Sequence, residues 1–234
     1  MSTKYEVDGI MTKDKYGDWC VPPESPQLIH SRDSSRMTDG KLIATAYYYH
    51  LLGLMKEFAG ILGFAADAGE FGVKAEKVKM AFNKQFFDAA GGCYSNNSVT
   101  ANLLPLYFGM VREDKKEVVF KHITDKVGHI STGVIGTQWL MRGLTENGRA
   151  DLAYKLASNT DYPSWGYMVK QGATTIWELW NGNTADPAMN SQNHVMLLGD
   201  LVTWCFEDLG GIAPAAPGFR RIRMKPVFPA GLNL

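Results

Sequence analysis

Thr38-Asp39-Gly-Lys-Leu42-Ile-Ala-Thr-Ala46-Tyr-Tyr-Tyr49-His-Leu-Leu-Gly53-Leu54-Met-Lys-Glu-Phe58-Ala-Gly-Ile61-Leu-Gly63 is the stretch that decides how this chain folds. Leu42, Ala46, Tyr49 and Gly53 recur at helical spacing, and the stripe continues into Leu54, Phe58 and Ile61, which predicts a helix with one inward face. Thr38 or Asp39 offers a side-chain oxygen to the free N–H groups of the first turn. Gly63 is the expected stop, because glycine adopts the left-handed conformation that ends many helices.

The same pattern recurs downstream. Helices are expected at 67–87, 99–111, 113–127, 135–146 and 149–158, with stops at Gly128 and at Asn147-Gly148, and a last long one at 191–209 that ends at Gly210-Gly211. Short connections between helices of this length imply antiparallel hairpins, so the fold class is all-α. Before the helices, residues 1–37 carry Pro22-Pro23, Pro26 and clustered Ser, Arg and Asp, an expected loop. After them, Phe219-Arg-Arg-Ile-Arg-Met-Lys225 alternates apolar and basic residues, a short terminal strand. A lone strand in a helical chain is either an appendage or the start of a further domain, and the second is favoured.

Composition narrows the function. The 234 residues are 45% hydrophobic with 24 basic and 24 acidic side chains, so a sizeable core is possible and no net charge steers the chain to nucleic acid or an anionic membrane. The polar segment 1–15 lacks the apolar core of a signal peptide, and no apolar run reaches membrane-spanning length. A soluble protein is expected, cytoplasmic or periplasmic in its full-length form. Cys20, Cys93 and Cys205 are odd in number and widely spaced, which suits free thiols and offers no zinc pattern. There is no Gly-x-Ser-x-Gly elbow, phosphate-cradling glycine loop or His-Glu-x-x-His site. Neither a metal nor another cofactor is expected.

Chemistry concentrates in Tyr162-Pro-Ser-Trp165-Gly-Tyr-Met-Val-Lys-Gln-Gly-Ala-Thr-Thr-Ile-Trp177-Glu178-Leu-Trp180, followed by Asn193-His194. Sugars present an apolar C–H face and a rim of hydroxyls, so aromatic rings beside a carboxylate, amides and an imidazole suit a glycan. Glu178, held ionised by Thr174, Thr175 or Asn181, could deprotonate a water; alternatively it is a solvated glutamate on a helix face. His194, near the start of the last helix, could donate to a sugar hydroxyl or orient Glu178, or be a structural histidine. Asp18-Trp19 is a second carboxylate–aromatic pair, or a turn with a buried indole. Trp165 could stack on a sugar or belong to the core, to which Trp139 and Trp204 are assigned. His129 could line a pocket, although a surface position suits its loop better; His30, His50 and His122 have no chemical company in the sequence.

With those residues laid out, the chain resembles the bacterial α-L-rhamnosidases of glycoside hydrolase family 78. The likeness runs from Tyr16-Gly-Asp-Trp19 through Leu104-Pro-Leu-Tyr-Phe-Gly-Met110, Ser131-Thr-Gly-Val-Ile-Gly136, Leu144-Thr-Glu-Asn-Gly-Arg-Ala-Asp-Leu-Ala-Tyr154 and Tyr162-Pro-Ser-Trp-Gly-Tyr167. It continues in Gly172-Ala-Thr-Thr-Ile-Trp-Glu178, Ser191-Gln-Asn-His194 and Pro217-Gly-Phe-Arg-Arg-Ile-Arg223, and Gly-Ala-Thr-Thr-x-Trp-Glu is its specific part. The resemblance implies an (α/α)6 toroid and an inverting glycosidase with Glu178 as general base. Asp18, Trp19, Trp165, Trp177 and His194 would then bind a terminal rhamnose of a glycan or glycoside.

The family's general acid lies in an arginine-containing acidic motif upstream of Gly-Asp-Trp, and no such string occurs here; Asp33 is not promoted to that role. The expectation is therefore a partial catalytic domain over 1–213, then a linker and the first strand of a truncated C-terminal β-sandwich over 214–234. With only the base half of the pair the chain is expected to be inactive or weak alone. Apolar faces left by missing helices would favour self-association. A non-catalytic carbohydrate-binding helical module is the alternative, and a helical scaffold with an all-core set of tryptophans is a third.

Overall fold

A computed structural model describes residues 2–185, 191–194, 200–230 and 232. The chain divides into two compact units, Met1–Asp18 with Met37–Ile123, and Trp19–Arg36 with Thr124–Leu234.

In the first unit, α1 (Ser2–Tyr5) leads into paired two-residue strands, β1 (Glu6–Val7) and β2 (Ile10–Met11), inside the stretch expected to be loop. The hairpin of α2 (Gly40–Ile61) and α3 (Ala65–Phe86) dominates the unit. Asp39 caps α2 by accepting a hydrogen bond from Lys41 N–H at 2.9 Å, and Gly63 ends the turn after it at φ +80°, both as the sequence predicts. Leu42 and Ala46 are buried, but farther along the inward face runs through Leu52 and Ala59, leaving Phe58 and Ile61 exposed. Leu52 meets Ala75 and Val78 of α3, with Tyr48, Tyr49 and Phe71 packed around them.

Beyond α3 a short hairpin, β3 (Phe87–Asp88) with β4 (Cys93–Tyr94), precedes α4 (Val99–Tyr107) and α5 (Lys116–Thr124). α4 stops before the expected 111 because Gly109 turns the backbone to φ +71°. A 3₁₀ turn, Glu113–Lys115, replaces the first residues of the helix expected at 113–127. His122 does have company: its Nε2 donates to Gly91 O at 2.9 Å and its Nδ1 accepts from Asn97 Nδ2 at 3.2 Å. His50 stacks on Phe108 at 4.5 Å.

The second unit is built on the hairpin of α6 (Val134–Glu146) and α7 (Ala150–Ser158). Leu140, Met141 and Leu144 of the first helix and Ala153 and Leu156 of the second are buried. Then come α8 (Trp165–Lys170), absent from the sequence expectation, and α9 (Asp200–Trp204), continued by a π-helical turn, Cys205–Leu209. Trp204 is core, as expected, and its Nε1 donates to Thr145 Oγ1 at 2.8 Å; Trp139 is only half-buried.

The helix expected at 191–209 is corrected at its start: residues 191–194 are not helical, and 195–199 lie outside the described residues. The terminal strand is corrected too. β6 (Ile222–Met224) is not alone but pairs antiparallel with β5 (Ile212–Pro214), Ile212 opposite Met224. None of the three cysteines is in a disulfide. Among the described residues no helix is long and apolar enough to cross a membrane.

Candidate functional site

Ser164 starts α8 by accepting a hydrogen bond from Tyr167 N–H at 2.9 Å, and Gly172, at φ +87°, lets the chain leave the helix. Beyond Gly172, residues 173–179 form neither helix nor strand. Trp177, Leu179 and Trp180 turn inward, while Ile176 and Glu178 stay half-buried.

This segment is bonded to 191–194. Glu178 N–H donates to Ser191 O at 2.9 Å and His194 N–H to Ile176 O at 2.8 Å, while Thr175 Oγ1 donates to Gln192 O. The bonds of Ser191, Gln192 and His194 run to 175–178 and not along a helix, whose hydrogen bonds run from each N–H to the fourth carbonyl before it.

Glu178 and His194 meet across these bonds. Ser191 N–H donates to Glu178 Oε2 at 3.0 Å, and His194 Nδ1 stands 3.8 Å from the same oxygen. The two side chains keep 18% and 26% of their accessible surface, enough for a ligand to reach both. The hydrogen bond expected from Thr174, Thr175 or Asn181 is replaced by a backbone donor: Thr175 is turned to Gln192, and Asn181 Nδ2 to the carbonyls of Pro26 and Leu28. A carboxylate fixed by an N–H, with an imidazole beside it, can accept a proton from a water or hold a sugar hydroxyl.

The remaining candidates divide by environment. Trp19 is 42% exposed, and its carbonyl accepts from Val134 N–H, at the start of α6, at 2.7 Å. Trp165 and Trp177 are buried to 6% and 4% exposure; Trp165 packs edge-on against Trp180, ring centroids 5.3 Å apart. Asp18 belongs to the first unit, where it is buried and accepts from Thr100 Oγ1 at 2.5 Å. Trp19, Trp165, Trp177, Glu178 and His194 all lie in the second unit. His129 is exposed. No described group of His, Cys, Asp and Glu is arranged to hold a metal ion.

Sequence reasoning had no access to Ser191, whose role is played by its backbone. It also gave no sign of the hold that Tyr162, Asn181 and Thr184 have on the proline-rich stretch, where Tyr162 Oη donates to Pro23 O at 3.0 Å and both Asn181 and Thr184 donate to Pro26 O. Pro22, Pro23 and Pro26 were the available signal, since a stretch with few N–H donors leaves its carbonyls for side chains to satisfy.

The fold and this arrangement define a class: a domain of helical hairpins that presents a carboxylate and an imidazole from two hydrogen-bonded irregular segments. The family model of the bacterial alpha-L-rhamnosidase six-hairpin glycosidase domain matches residues 2–209, and the chain belongs to that family. An alpha-L-rhamnosidase of Alteromonas sp. (strain LOR) is 33% identical over 95% of this chain and 25% of its own length. One from Streptomyces avermitilis is 32% identical over 94% of this chain and 21% of its own. Among solved structures, the alpha-L-rhamnosidase from Dictyoglumus thermophilum superposes with a TM-score of 0.84 at 34% identity, over 97% of this chain and 25% of that one. The Streptomyces avermitilis enzyme complexed with L-rhamnose gives 0.85 at 28% identity, over 97% and 22%. The chain thus spans about a quarter of the length of the curated relatives it matches.

Proposed function

We propose that this chain carries the general-base part of a glycoside hydrolase site for terminal α-L-rhamnosides. The observation that carries this is the Glu178–His194 pair, a partly exposed carboxylate held by Ser191 N–H with an imidazole 3.8 Å away. Glu178 would take the proton of a water as that water attacks the anomeric carbon, and His194 would hold the sugar and keep the carboxylate aligned. Trp19 offers an exposed ring face for the sugar's C–H surface. Trp165 and Trp177 are proposed as the rigid packing that shapes the wall.

Inversion requires a second, protonated carboxyl about 6.5–9.5 Å from the base, leaving room for the water on one side of the sugar and protonating the leaving oxygen on the other. That acid is proposed to come from another part of a longer protein, with residues 1–213 as part of the catalytic domain and 214–234 leading into a further one. Lacking it, the chain would forgo a rate contribution of about 10² to 10⁴.

The test is hydrolysis of an aryl α-L-rhamnoside by the 234-residue chain, alone and mixed with the upstream part of a relative's catalytic domain, while rhamnose binding is followed by tryptophan fluorescence. Expected are binding without turnover for the chain alone, turnover in the mixture, and loss of that turnover in Glu178→Gln. Turnover by the chain alone would place the acid within these residues. Binding with no turnover under any condition would favour a carbohydrate-binding module.

A further inference from the structure

Residues 22–28 include three prolines, and this stretch is held largely by side chains. Glu24 gathers it from within: its carboxylate accepts from Ser31 Oγ at 2.5 Å and from the backbone N–H groups of Arg32 and Asp33 at 3.1 and 2.7 Å. Those bonds, led by the Ser31 hydroxyl, hold the Glu24 carboxyl down to about 2. Arg36 closes the loop by donating to Pro22 O at 3.1 Å.

Asn181 grips this loop from outside. Its Nδ2 donates to Pro26 O at 3.0 Å and to Leu28 O at 2.7 Å, and the residue is completely buried. Its Oδ1 takes no hydrogen bond from any described residue, so both of its contacts to the loop are donations. Thr184 reinforces the grip at Pro26 O. The loop begins at Trp19, anchored by Val134 N–H, and Asn181 lies three positions beyond Glu178.

We infer that Asn181 is a positioning residue: it clamps the loop that begins at Trp19 to the segment that carries Glu178, and so sets where a sugar on the Trp19 ring sits relative to the carboxylate. The inference rests on the carbohydrate-site proposal above. A buried amide with both hydrogens committed to one loop tolerates little movement, because each lost bond leaves one of its buried N–H groups unsatisfied.

The experiment compares wild type, Asn181→Leu, Asn181→Gln and Thr184→Val by amide hydrogen exchange and by rhamnose titration. In Asn181→Leu, the amides of Leu28, Arg32, Asp33 and Val134 should exchange about tenfold faster or more while interior amides of α7 are unchanged. Rhamnose affinity should fall at least about fivefold. Asn181→Gln, which keeps both N–H donors, should recover part of both. Thr184→Val should show the same pattern more weakly, and it carries the test if Asn181→Leu does not fold.

Unchanged loop exchange overturns the inference. So does a loosened loop with unaltered rhamnose affinity, which would make Asn181 merely structural. The carbohydrate proposal fails separately: if Trp19→Ala and Glu178→Gln leave the rhamnose response unmoved, or wild type shows none, that proposal is sunk, and loop exchange alone then judges the clamp.

Discussion

Asp208 sits on the π-helical turn next to Arg142, whose Nε is 3.9 Å from its Oδ2, while Arg142 also pairs with Glu207 at 2.9 Å. Burial pushes the Asp208 carboxyl up to about 6 from the usual 3.8; Arg142 opposes the shift, and Glu146 and Glu207 add to it. A carboxyl whose folded value is raised binds its proton more tightly in the fold than in the unfolded chain, so stability falls as pH rises between those two values. Above about 6 the full penalty is present. Asp208→Asn is therefore expected to be more stable than wild type at pH 7.5 by about 1–2 kcal/mol, after allowance for solvent screening. The difference should shrink toward zero near pH 4, and urea unfolding across that range reads it. At this scale the sequence was most legible where side-chain chemistry speaks for itself. Glu178 and His194 were picked out by type and company, and the structure brings them together. Asp208 was invisible, because its environment is made by Arg142 and Glu146, far away in the chain.

Helices whose ends are written in side chains were read well. Asp39, Gly63 and Asn147-Gly148 bound elements where expected, and each acts locally, by a cap or a positive φ. Asp39→Ala removes the acceptor for Lys41 N–H and should cost about 1 kcal/mol in urea unfolding, with Asp39→Ser recovering most of it. Segments governed by distant partners were misread. Residues 191–194 carry no local veto against a helix, yet they are not helical and bond instead to Glu178 and Ile176. β6 reads as a lone strand because β5, with Pro214 in it, looks like a linker in the sequence. The short α8 is hard to see in the sequence because Pro163 and Gly166 flank its start, although Ser164 is an ordinary helix cap.

At the scale of the molecule, some apolar helix faces lie exposed. Leu51, Met55, Phe58 and Leu62 form one such stripe along α2 and its end, all strongly exposed, spaced to lie on a single face. A contiguous apolar face of this kind favours association. Sedimentation of the purified chain is expected to show concentration-dependent self-association that Leu51→Lys with Phe58→Glu suppresses while the helical circular dichroism stays the same. A monomer at all concentrations would remove that expectation. The fold class was legible over most of the chain because hairpins of long helices are set by local periodicity, which a single sequence contains.

The bonding between 175–178 and 191–194 also bears on how such a domain could diverge. Because backbone bonds fix the distance between Glu178 and His194, that distance does not depend on the length of the connection between them. What lies around the pair is therefore free to be reshaped, across lineages or in a designed library, while the pair keeps its spacing.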